Sequence, residues 1–127
     1  LFWKKKNPET DIIIHESEDQ RQSYRYNFKQ GQGFQITFKE KKVWVLNISA
    51  GGIAFNNNGF QLFDFDFITF TLDIPNFKGN STFYSGLRVL RIDNKKICHC
   101  IFEHCSLEQH ELIHKYVLEM QKNDLAH

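Results

Sequence analysis

Two short clusters in this chain hold residue types that can grip a flat, anionic, base-like ligand. The first is Arg21-Gln22-Ser23-Tyr24-Arg25, an RxxxR motif. The second is Asn47-Ile48-Ser49-Ala50-Gly51-Gly52, an NxSxxG motif. A guanidinium is a planar fork that holds phosphate oxygens or the O6/N7 edge of guanine, and it also stacks on a base. Asn and Ser supply compact neutral groups for a base edge, and Gly lets a ligand approach the backbone closely. Arg21, Arg25, Asn47, Ser49 and Gly52 are therefore the candidate binding residues. Taken singly, each motif also has a plain reading, as a solvated charge pair and as a polar turn after a strand.

Other residues offer metal chemistry. His110-Glu111-Leu112-Ile113-His114 is a literal HExxH on a predicted helix, the pattern in which two His hold zinc and the Glu activates water. A third ligand is needed, and downstream only Glu119, Asp124 and His127 are available, near the chain end. The motif reads better as a charged helix face beside Ile113, Val117 and Met120. Cys98, Cys100 and Cys105 with His99 and His104 form a second cluster. Period-two spacing sends Cys98, Cys100 and Phe102 to one strand face and His99 to the other, which spoils a tetrahedral set. The thiols are expected to be small buried residues, and no metal is expected.

These residues must be held by elements, and the pattern supplies them. Tyr24, Tyr26 and Phe28 alternate, as do Phe34, Ile36 and Phe38, with Gly31 and Gly33 between. Lys39–Lys42 reads as a charged turn and Val43–Leu46 as a short strand. Gly51-Gly52 interrupts that strand, Ile53–Phe55 resumes it, and Asn56-Asn57-Asn58-Gly59 ends it. Phe63, Phe65 and Phe67 alternate on odd positions, while Ile68, Phe70, Leu72 and Ile74 do so on even ones. One strand cannot hold both sets on one face, so a bulge or a new element is expected near Phe67. Pro75 closes the segment. Phe83–Ile92 and Ile97–Phe102 read as two further strands. Ser106 then looks like a helix N-cap, with Gln109 completing a capping box, and Leu112, Ile113, Tyr116, Val117 and Met120 follow at helical spacing. Many short strands and one amphipathic helix make an all-β fold, a small antiparallel β-barrel with a C-terminal α-helix.

The two motifs, in this order and on this scaffold, resemble the PilZ domain family, whose signature is RxxxR followed, after a stretch of β structure, by [D/N]xSxxG. The resemblance runs from about Asp19 to Gln121, and Arg21, Arg25, Asn47, Ser49 and Gly52 all match. It implies a receptor for the bacterial second messenger cyclic di-GMP, not an enzyme. By the same resemblance, Arg21 and Arg25 grip phosphate and guanine, Asn47 and Ser49 read a base, and Gly52 shapes the turn. The arm carrying Arg21 and Arg25 closes over the ligand and changes the surface shown to a downstream protein or flanking domain. Relatives that lack the motifs work through protein contacts, so a PilZ-like interaction module with weak or no nucleotide binding is the alternative. Gln20, before the first arginine, stands where the family varies with ligand stoichiometry.

Bulk properties narrow the rest. A chain of 127 residues has room for one cored domain, placed at residues 19–127, with residues 1–18 as a linker or tail. A formal charge of +1 gives no global pull toward nucleic acid, so Phe83-Tyr84 and the other aromatics among thirteen Phe are assigned to the core rather than to base stacking. An odd count of three Cys argues against a disulfide framework and for a reducing, cytoplasmic compartment. There the sequons at Asn47 and Asn80 stay unmodified. The chain does not begin with Met and is read as a fragment. Leu1-Phe2-Trp3 before Lys4-Lys5-Lys6 reads as the end of another domain or a tail, or as the flank of a membrane helix farther upstream.

Overall fold

The computed structural model describes residues 25–125. Arg21 and the linker expected over residues 1–18 lie outside them. Among the described residues, seven strands and one helix follow in order: β1 Arg25–Asn27, β2 Gln35–Phe38, β3 Lys41–Ser49, β4 Gly52–Asn56, β5 Phe65–Thr71, β6 Thr82–Ile92, β7 Ile97–Glu103 and α1 Leu107–Leu125. All strand pairs are antiparallel, in the order β1-β3-β4-β7-β6-β5, with β2 paired to the first half of β3. The sheet curls into a half-barrel with the helix at its C-terminal end, the expected all-β class. Its ends approach where β2 meets β5: the Lys39 N–H donates to Asp66 Oδ2 at 2.7 Å and the Phe34 and Phe70 rings lie 4.9 Å apart.

Alternation builds the core. Phe83, Ser85, Leu87 and Val89 of β6 face inward, as do Cys98, Cys100 and Phe102 of β7. Leu112, Ile113, Tyr116 and Val117 of α1 join the same cluster, with Met120 at its margin. Ser106 Oγ caps the helix by accepting from the Gln109 N–H at 3.2 Å. Gln109 does not complete the capping box. Its buried side chain accepts from the Tyr84 N–H at 2.9 Å, which stitches the helix to β6 instead.

Two local expectations are refined. The charged turn is shorter than Lys39–Lys42: Lys39 and Glu40 alone form it, both at positive φ, and β3 starts at Lys41. This two-residue geometry matches the twist of a hairpin, and the Asp66 bond and an ion pair from Lys39 to Asp64 hold it. The phase conflict around Phe67 is resolved by the second of the expected ways, a new element and not a bulge. Strand β5 pairs with β6 in unbroken register from Phe65 to Thr71. Phe63 stays in the preceding turn at φ 69°, and Phe65 and Phe67 lie on the outer face, Phe67 being 69% exposed. Phe65 fits there because Gly86 lacks a side chain: a Cβ on it would sit 2.7 Å from the ring. The Arg88 guanidinium lies 4.7 Å over the same ring.

The bulges fall elsewhere, and they matter more. In β3, Val43 and Val45 face the core, so strict alternation would drive Asn47 and Ser49 inward. A register shift between Val45 and Asn47 makes Leu46 an extra residue, Ile48 takes the next core position, and the two polar residues turn out. A second shift, between Val89 and Arg91, does the same in β6. Leu90 is the extra residue, Ile92 returns to the core margin, and Arg91 faces outward.

Candidate functional site

Strand register brings Arg25, the last residue of the first motif, beside the second motif. Arg25 pairs with Ser49, Tyr26 with Ile48 and Asn27 with Asn47. Tyr26 and Ile48 are core residues, so Arg25, Asn27, Asn47 and Ser49 share the outer face. The start of β1 is also clamped by the end of α1. Gln121 Nε2 donates to the Arg25 carbonyl at 3.2 Å, and the Tyr26 hydroxyl donates to Asp124 Oδ1 at 3.1 Å. Burial, followed by that carboxylate, raises the Tyr26 pKa. The backbone of Arg25 is thus held on the sheet, whereas the sequence placed it on an arm that closes over the ligand. The rest of that arm, residues 16–24 with Arg21, lies outside the described residues.

Each side chain has its own state. Arg25 Nε is buried and has no hydrogen-bond partner among the described residues, an orphan donor of the kind that usually marks a missing partner. The Asn47 amide also has no partner among them, which leaves its donors and acceptor open. Ser49 is partly committed: its Oγ accepts from the Gly51 N–H at 3.3 Å and donates toward the Gly52 carbonyl at 3.4 Å. A hydroxyl used this way keeps one acceptor lone pair for a ligand and otherwise holds the turn. Gly52 also has a structural reason of its own. A Cβ there would overlap the Cys100 carbonyl oxygen of β7, so Gly52 is set by close strand approach.

The same face continues across the sheet. Asn47 pairs with Ala54, Ala54 with His99 and His99 with Arg91. His99 Nε2 lies 2.9 Å from Asp93 Oδ2, while Asp93 Oδ1 accepts from the Lys95 and Ile97 N–H groups at 2.9 and 3.0 Å. The His99 hydrogen bond, then the Ile97 amide, hold the Asp93 carboxyl down at about 2. Sequence reading had noted that His99 faces away from the thiols. It missed that this direction is the face of the NxSxxG motif, because β7 reaches β3 only through β4.

Among the described residues, no three His, Cys, Asp or Glu side chains are grouped as metal ligands. Cys98 and Cys100 are buried and Cys105 is half-buried, as the alternation implied. Burial pushes the Cys98 thiol up to about 11 and the Cys100 thiol further. Also among the described residues, no helix is long and apolar enough to cross a membrane.

Fold and surface together define a class, a small antiparallel β half-barrel with one terminal helix and a polar outer face at the β1–β3–β4 junction. Beyond that class, comparison with protein-family models finds no match, and comparison with curated proteins finds none either.

Proposed function

We propose that this protein is a PilZ-type receptor for cyclic di-GMP, acting in a bacterial cytoplasm as a regulatory and not a catalytic domain. The observation that carries the reading is the cross-strand pairing of Arg25 with Ser49, with Asn47 one step along the same face. It puts a planar cation beside neutral base-reading groups, which is what a guanine nucleotide with an anionic phosphate needs. The unpartnered Arg25 Nε supports the same reading, since a phosphate oxygen or guanine O6 would satisfy it. Arg21 would supply the second cation from the chain before β1. The sheet is a preformed platform, and ligand capture changes mainly the segment leading into it, which a downstream protein or flanking domain then reads.

Calorimetric titration of the chain with cyclic di-GMP tests this directly. Saturable binding that is lost in Arg25→Ala is the expected result, and no binding by the unaltered chain rejects the reading. A second reading, a protein-interaction module, draws on exposed Leu62, Phe63, Phe67 and Tyr84 around β5. It gains ground only if the titration shows no nucleotide binding.

A further inference from the structure

The two bulges act on the same row of the sheet. One, at Leu46, turns Asn47 outward; the other, at Leu90, turns Arg91 outward. Between them in register lie Ala54 and His99, so the row reads Asn47, Ala54, His99, Arg91. Strands sit about 4.8 Å apart, so the row spans roughly 14 Å from end to end. Ala54 is a small side chain, only 2% exposed, between larger polar ones.

The far half of the row is chemically prepared. Asp93 is ionised and can only accept, so His99 Nε2 carries the hydrogen between them. This fixes the ring and leaves Nδ1 as the free edge, an acceptor when the imidazole is neutral and a donor when it is protonated. Arg91 has no hydrogen-bond or ion-pair partner among the described residues. Its neighbour Arg88, on the next outer row, is fully engaged, with its Nε 2.9 Å from both Glu103 oxygens and a further bond to the Phe63 carbonyl. The bulge that returns Ile92 to the core margin thus leaves a second arginine exposed beside His99.

We propose that His99, oriented by Asp93, and Arg91 form the second half of the nucleotide site, so that the ligand lies across Ala54 between Asn47 and the His99–Arg91 pair. His99 Nδ1 meets a base edge and Arg91 meets the phosphate or guanine distal to Arg25. Asp93 is a positioning residue. The inference rests on the cyclic di-GMP reading and extends that site across β4 to β7 and β6.

The test is a calorimetric titration of the full chain with cyclic di-GMP, using Arg25→Ala, His99→Ala, Arg91→Ala and, as a charge control on the exposed β6–β7 turn, Lys95→Ala. Ring resonances of His99 are followed in the unaltered chain during the same titration. The expected result is a loss of about tenfold or more in His99→Ala and Arg91→Ala, little change in Lys95→Ala, and a shift of the His99 ring signals. Unchanged affinity in His99→Ala and Arg91→Ala, with binding lost in Arg25→Ala and static His99 signals, overturns the extension and leaves the receptor reading intact. Absence of binding by the unaltered chain overturns both. Far-ultraviolet circular dichroism of each variant separates a lost contact from a lost fold, and in a variant that fails to fold the His99 ring shift decides.

Discussion

At the scale of single residues, Arg25 and Gly52 belong to one motif pair but do different work. Arg25 lies on the outer face, and its buried Nε has no partner among the described residues, so its removal should weaken ligand binding without unfolding the sheet. A charge-assisted hydrogen bond contributes roughly 1.5–3 kcal/mol, so Arg25→Ala should lower affinity about ten- to hundredfold by calorimetry. Arg25→Lys should restore little, because a point charge reproduces neither fork nor stack. Gly52 is the opposite case. Its missing Cβ is what lets the Cys100 carbonyl of β7 approach, so Gly52→Ala forces strand movement. It should cost about 1–3 kcal/mol or more of stability by urea denaturation, and any loss of binding should track that loss of fold.

At the scale of elements, the helix end and the first strand form one unit. Three residues of β1 make a weak strand alone, and the Gln121 and Asp124 contacts are what hold it at its outer end. Tyr26→Phe removes one of them and should loosen β1 by about 1 kcal/mol. Faster amide exchange at Arg25–Asn27, with β6 and β7 unchanged, is the measurement. Strand β7 makes a separate prediction through its buried thiols. Cys98 is held up at about 11, against an ordinary value of 9.0, by burial first and then by nearby Asp64 and Asp93. The folded state therefore keeps a proton that the unfolded chain releases. That stabilisation is complete below pH 9 and is lost as pH rises from 9 through about 11. The urea midpoint should fall across this window, and thiol reagents should modify Cys105 well before Cys98 and Cys100.

At the scale of the whole molecule, one cluster of side chains carries the fold. Phe83 touches both Phe70 and Phe102, with ring centroids 5.2 and 4.9 Å away, and so links β5, β6 and β7. Phe83→Ala should cost about 3–5 kcal/mol, a large share of the roughly 5–15 kcal/mol typical of a small domain. A shared drop in the unfolding transition by circular dichroism and by aromatic fluorescence would show that the sheet and helix melt together. The same unity limits what ligand can change. On adding cyclic di-GMP, exchange should slow at Arg25 and in the residues leading to it, while Val43 and Val45 stay as they were.

The alternation of apolar residues was enough to reveal the strands, the helix and the direction of Cys98, Cys100 and Phe102, because side-chain period follows from local backbone geometry. Arg25, Asn47, Ser49 and Gly52 were legible as a chemical set for the same reason, since residue type and spacing lie open in the chain. The position of Arg21 stays a matter of sequence alone. Phe63, Phe65 and Phe67 misled because aromatic alternation looks like a core face. Only the tertiary partners, Gly86 beneath Phe65 and Arg88 over it, show that the outer face accepts them. Bulges were likewise invisible, since an extra residue such as Leu46 or Leu90 is defined by the strand across from it and not by its own neighbours. Strand order decided the rest. Asn47 is far along the chain from His99 and Arg91, and they share one row because β4 and β7 pair between β3 and β6, a choice made by burying one shared core and not by any local propensity.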